Sequence, residues 1–156
     1  TLSFTSGTDG TDTITGFDAG AASDVYDTDF TTTTNTVGVI ADGEINAVTA
    51  SASAVTLDTS VNAVFTLDAA DFRSEITDFT SGSQVLDAIS ETAVQVSADT
   101  NSGLLALTST GGDTFLYELE EGGDTDAIVA GEDITLVGIF NDVDSANFDG
   151  DNFLVA

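Results

Sequence analysis

The chain has 156 residues, enough for one domain, and 41% of them are hydrophobic, which leaves ample material for a packed core. Twenty-eight acidic residues face a single base, Arg73, for a formal net charge of −27, so nucleic acid and anionic membrane surfaces are excluded as partners: no basic patch exists to neutralise phosphate. The absence of Cys, His and Lys excludes disulfides, thiolate and imidazole metal centres, histidine-based triads and Schiff bases.

In chain order, short β-branched and aromatic runs separated by Gly, Asn, Asp and Ser predict strands at 2–5, 12–15, 36–40, 44–49, 52–57, 61–67, 92–97, 104–108, 114–119, 127–129, 133–139 and 153–155. Asp42-Gly43, Gly111-Gly112, Gly122-Gly123 and Asp149-Gly150 mark turns between them. One short helix is expected near Asp68–Phe72, where an Asp can cap the first turn, and Thr31–Thr34 reads as a loop or edge strand. No Pro-, Gly- or Ser-rich linker divides the chain, so residues 1–156 are read as a single all-β domain, a β-sandwich or β-roll-like strand-and-turn fold. No apolar run approaches the roughly 18 residues of a membrane span, so no membrane insertion is expected. The chain contains no Met, so Thr1 is read as following a removed leader or as the start of a fragment.

The acid is mostly Asp, 21 residues against 7 Glu. Glu favours helices, whereas Asp favours turns, caps and oxygen-ligand loops, so this load is aimed at loops and cations. High salt or divalent cations would relieve the self-repulsion. A solvated acidic surface tuned for solubility is the plainer reading of many of these residues.

Two segments echo each other. Ile14-Thr-Gly-Phe-Asp-Ala-Gly20 with Ser23-Asp-Val-Tyr-Asp27 matches Ile76-Thr-Asp-Phe-Thr-Ser-Gly82 with Ser83-Gln-Val-Leu-Asp87, and suggests duplicated strand–turn units near 12–27 and 74–87. A second echo links Leu67-Asp-Ala-Ala-Asp-Phe72 with Val143-Asp-Ser-Ala-Asn-Phe148. Gly7-Thr-Asp-Gly-Thr-Asp-Thr-Ile-Thr15 also matches the calcium-binding nonapeptide G-G-x-G-x-D-x-U-x at Gly7, Gly10, Asp12 and Ile14, departing at Thr8. Gly permits tight turns with inward carbonyls, Asp adds hard anionic oxygens, and the apolar residue packs inward.

These units resemble the D-x-I-x-D-F-x-x-G-x-D-x-L-D segment of RTX-type proteins, which leave the cell by type I export and fold on meeting external calcium. Gly123-Asp-Thr-Asp-Ala-Ile-Val129, Ile134-Thr-Leu-Val-Gly-Ile139 and Ser145-Ala-Asn-Phe148 are similar to the terminal segments of such proteins, self-assembling surface-layer proteins among them. Tandem nonapeptides are missing, and Gln84 stands where the second unit would carry an acid. The resemblance implies an extracellular, calcium-stabilised protein with ligands at Asp9, Asp12, Asp24, Asp27, Asp78 and Asp87.

A third acidic cluster, Asn141-Asp142-Val-Asp144 with Asp149-Gly-Asp151, has the acid density of an EF-hand loop without its spacing, and reads either as calcium ligands or as a solvated turn. The phenylalanines lie among β-type residues and read as core rather than as a binding platform. Arg73 is expected to pair with a nearby carboxylate such as Asp71 or Glu75, the alternative being that this sole cation bridges subunits.

Glycoside hydrolysis needs only two carboxylates, but no acid pair stands out and no Trp lines a subsite, so the chain is not read as an enzyme. The leading expectation is a self-assembling extracellular subunit of a filament or surface layer, a homopolymer stabilised by calcium. The alternative is a calcium-dependent adhesive or secretion module of a larger exported protein. Thr1–Thr5, a short alternating strand, would either complete a neighbour's sheet by strand addition or pair within its own chain.

Overall fold

A computed structural model describes residues 3–5, 11–20, 24–28, 38–39, 45–47, 55–58, 64–69, 76–91, 94–97, 103–119 and 134–155. Their strands are β1 (Ser3–Thr5), β2 (Asp12–Thr15), β3 (Val25–Thr28), β4 (Gly38–Val39), β5 (Ile45–Ala47), β6 (Val55–Asp58), β7 (Val64–Asp68), β8 (Val94–Ser97), β9 (Gly103–Thr108), β10 (Thr114–Leu119), β11 (Ile134–Asn141) and β12 (Phe153–Val155). One α-helix, α1 (Gly82–Glu91), follows β7 in sequence. The protein is therefore mainly β. The expected strand at 127–129, the Thr31–Thr34 segment and the Arg73 ion pair lie outside the described residues.

The helix was not expected at 82–91, and the strand at Val25–Thr28 was not expected either. The helix's signal is the Ser81-Gly-Ser-Gln84 spacing of a helix start followed by apolar residues at helical intervals. Val85, Leu86 and Ala88 are buried while Ser83, Gln84 and Asp87 are exposed, and Val85 N donates to Ser81 O at 3.2 Å. Burying Val85 and Leu86 stabilises by about 1.5–3 kcal/mol each. β7 continues through Asp68, so the helix expected near Asp68–Phe72 does not begin there, and residues 70–72 lie outside the described residues.

The strands form a six-stranded sheet in the order β2-β11-β10-β9-β7-β5, a four-stranded sheet β1-β3-β12-β4 and a pair β6-β8. In the six-stranded sheet only β10 runs against its neighbours. Parallel neighbours require a crossover, and here it passes through another sheet. β5, β7 and β9 lie side by side in one sheet while the intervening β6 and β8 pair in another. The same winding stacks β11 on β2 and β12 on β3, with Gly138 opposite Asp12 and Phe153 opposite Tyr26. Ser3–Thr5 pairs in parallel with β3 of its own chain, Phe4 opposite Tyr26, so this segment lies within its own sheet.

Alternation sends the two faces of the six-stranded sheet into separate cores. Phe65, Leu67, Leu105, Leu107, Tyr117 and Leu119 meet α1 together with Ile76. Val64, Leu104, Ala106, Leu116 and Phe140 meet Tyr26, Phe148 and Phe153 on the other side. Phe140 packs edge-on against Phe17, Tyr26 and Phe148, with centroids 4.8, 5.6 and 5.4 Å away. Phe17, Phe65, Phe140, Phe148 and Phe153 are thus core, and Phe79 and Phe115 pack half-buried against it, whereas Phe30 and Phe72 lie outside the described residues.

Gly138 makes room for this packing. A Cβ there would sit 3.3 Å from Phe140 Cε2 and 3.5 Å from Tyr26 Oη, whose hydroxyl donates to Val137 O at 3.0 Å. Gly138→Ala is expected to lower the urea midpoint by the equivalent of about 1–3 kcal/mol, the cost of overpacking a filled core. An unchanged midpoint would show that the Tyr26 ring moves aside freely.

Candidate functional site

The two turns that follow β2 and β11 carry most of the described candidate ligands. After β2 the chain reverses through Gly16, whose φ of +74° suits glycine, and buries Phe17. Asp24 then closes the turn: its Oδ2 accepts from Asp18 N at 3.1 Å while its own N donates to Asp18 O at 3.2 Å. Asp12 lies half-buried in β2.

After β11, Asn141 Nδ2 donates to Thr15 Oγ1 at 3.0 Å, tying the second turn to the first. Asp142 adopts a left-handed φ of 57°, which Asp tolerates, and its N donates to Asp113 Oδ1 at 2.9 Å. Asp144 caps a 3-10 turn, Ser145–Asn147, with Oδ1 accepting from Ala146 N at 2.9 Å. Asp149 caps the next, Gly150–Asn152, accepting from Asp151 N at 3.0 Å. These caps satisfy N–H groups that have no partner within so short a turn.

Two buried polar nodes hold the second turn in place. At the first, Thr108 Oγ1 donates to Ser145 Oγ at 2.7 Å and accepts from Ser145 N at 2.8 Å, while Thr114 Oγ1 donates to Val143 O at 2.6 Å. At the second, Asn152 is fully buried. Its Oδ1 accepts from Gly20 N at 2.8 Å and Asp149 N at 3.0 Å, and its Nδ2 donates to Asp24 O at 2.9 Å and Gly20 O at 3.3 Å. Gly20 and Asn152 are 132 residues apart in sequence.

The structure therefore brings Asp24, Asp149 and Asp151 to one junction, through Asn152, and places Asp142 and Asp144 nearer the β9–β10 hairpin. Asp78 and Asp87 lie elsewhere, on the α1 side, both exposed. Asp78 Oδ1 accepts from Thr80 Oγ1 at 2.6 Å and Thr80 N at 2.9 Å, and these bonds, the hydroxyl's first, hold its carboxyl below the usual carboxylate range. That stabilisation is present above the ordinary carboxylate value and is lost as pH falls through the depressed one. Asp9 and the carboxylate of Asp27 lie outside the described residues. Among the described residues, no three acidic side chains converge as a metal centre requires.

The echoed segments share a turn device and then diverge. Gln84 Oε1 accepts from Asp78 N at 3.3 Å, the same six-residue closure that Asp24 makes on Asp18 N. Beyond it, Val25–Thr28 is a strand and Val85–Asp87 is helical. Gln84 thus does the structural work of an acid without its charge. Sequence reasoning missed Asn152, Asp18 and Asp113. The D-x-x-N spacing of Asp149 and Asn152, a capping box, was the available signal for the first.

A groove of about 480 Å³ runs between β2, β11 and the start of α1, lined by Thr11, Thr13 and Thr135 with Ile134, Leu136 and Ile139. These described residues offer hydroxyls and aliphatic carbon. Among the described residues no helix is long and apolar enough to cross a membrane. Comparison with protein-family models, with curated proteins and with solved structures finds no match to this chain.

Proposed function

We propose that the chain is an extracellular structural subunit that assembles with copies of itself into a filament or surface layer, is stabilised by calcium on its acidic turns, and has no catalytic role. The observation that carries this reading is the pair of open sheets. Among the described strands, β2 and β5 end one sheet and β1 and β4 end the other, in a chain with neither Pro nor Lys to blunt an edge. Exposed edges in soluble monomers are commonly guarded by such residues, and unguarded ones pair with other chains. Export and calcium are supported by the RTX-like segments and by the acid load. Asp78, Asp144 and Asp149 each commit Oδ1 to a backbone N–H, which holds the carboxylate in place, and the second oxygen is the one a hard cation would take.

Electron microscopy and light scattering of the purified protein with calcium and with chelator test the assembly. Ordered polymers in calcium are expected, and a monodisperse monomer under all conditions refutes it. Thermal melting tests the calcium: at a hundred times its dissociation constant a single bound ion adds about 2.7 kcal/mol, so melts in chelator and in millimolar calcium should separate by several degrees. Coincident melts, or an equal gain from sodium alone, would remove calcium from the proposal.

A further inference from the structure

We propose that Asn152 is a salt-gated latch: its buried amide clamps the turn at Asp18–Asp24 to the turn at Asp149–Asp151 against their mutual repulsion, and low ionic strength opens this junction before the rest of the fold. The two turns belong to stacked strand pairs, β2–β3 and β11–β12, so their backbones approach one another closely. All four hydrogen bonds of the Asn152 side-chain amide fall on these two turns. An amide side chain has two acceptor sites and two donors, so the latch is saturated.

Around it stand four carboxylates, with Asp18 and Asp151 exposed and Asp24 and Asp149 half-buried. Asn152 bonds both Asp24 O and Asp149 N, so the two turn backbones lie one side chain apart, and their carboxylates repel across a gap on the order of the Debye length at 0.1 M salt, roughly 10 Å. The chain has one base in all, so at most one of the four can be balanced from within. Holding the turns together is thus opposed by a repulsion that salt screens and that the neutral Asn152 does not enlarge. An acid at 152 would both add a fifth charge and lose the two donors.

What the latch releases is specific. Phe153 follows Asn152 directly and begins β12, a strand of three residues held between β3 and β4. Opening frees that short strand, whereas β9, β10 and β11 keep their longer ladders. Such local opening, of lower free energy than global unfolding, is read by hydrogen exchange.

The test is amide exchange on the full chain, in chelator, with sodium chloride varied from about 10 mM to about 500 mM. Gly20 N and Asp149 N donate to Asn152 Oδ1 and report the latch directly. As salt is lowered, their protection and that of Phe153–Val155 is expected to fall about fivefold more than that of Leu105 and Leu116, the scale of a few screened charge pairs at that distance. D18N/D151N, which removes two exposed charges, is expected to flatten that difference. Junction and sheet amides losing protection in parallel at every salt overturns the proposal, as does a double variant that retains the full difference. Sodium in chelator drives the effect, so the result stands or falls separately from calcium binding.

Discussion

Replacing Phe140 by Ala is expected to remove about 3–5 kcal/mol of stability, the range for deleting a fully buried aromatic side chain. The ring is wholly inaccessible and sits at the centre of the aromatic group, edge-on to Phe17, Tyr26 and Phe148. Those three neighbours come from the turn after β2, from β3 and from the segment after β11, so no single one can collapse into the space left behind. Beyond area burial, each edge-to-face pair adds about 0.5–1.5 kcal/mol. Against a total stability of about 5–15 kcal/mol, the loss leaves a marginal protein. Urea unfolding followed by tyrosine fluorescence measures it. Phe115→Ala is the internal comparison, because Phe115 is half-buried and, among the described residues, stacks on one ring, Phe79, at 4.7 Å. Equal losses in the two variants would contradict the assignment of Phe140 as the centre of the core.

The second large effect is expected at Thr108. Thr108→Val keeps the shape and removes one hydroxyl, leaving Ser145 N without its acceptor and Ser145 Oγ without its donor. Stranding a buried donor costs about 1–3 kcal/mol, and the node is shielded from water, with Thr108, Thr114 and Ser145 all buried. A loss of about 2–4 kcal/mol is expected, with disorder spreading to Asp144 and the 3-10 turn it caps. Thr108→Ser retains the hydroxyl and should recover most of the loss. Denaturant midpoints give the magnitudes, and amide exchange at Ser145 and Ala146 locates the damage. A Val variant as stable as the parent would mean that water replaces the hydroxyl, and the node would not be what seats this turn.

Tyr117 shows the same logic on the other face. Its hydroxyl donates to Phe79 O at 2.5 Å, binding the segment before α1 to β10, and burial first, then the nearby Asp78 charge, raise its phenol far above the ordinary value. The phenol therefore remains a neutral donor throughout the physiological range.

Much of the β framework was legible in the sequence, because strand signals are local. Asp12–Thr15, Thr114–Leu119 and Phe153–Val155 are strands with the bounds that their alternation and turn residues predict. The Gly111-Gly112 turn joins β9 to β10, with Gly112 at a φ of +95°. Composition alone fixed the surplus of acid and the absence of any basic patch. Neither the helix at Gly82–Glu91 nor the strand at Val25–Thr28 was legible, and the segments at their starts, Ser83-Gln-Val-Leu-Asp87 and Ser23-Asp-Val-Tyr-Asp27, echo each other in sequence. Local preference is nearly balanced in such short apolar segments. One settled beside β12 and the other beneath the α1 face of the larger sheet, so packing decided between them.

Only the tertiary structure could decide which acids meet. Asp24 and Asp149 are joined through the amide of Asn152, whereas Asp78 and Asp87, read from the same sequence pattern, lie on the opposite side of the six-stranded sheet. A spacing pattern specifies a turn and its caps, since those bonds span two to six residues. It does not specify which distant turn stacks against it. That follows from the parallel winding, which lays β11 on β2 and β12 on β3 and so brings residues 132 apart within hydrogen-bond reach.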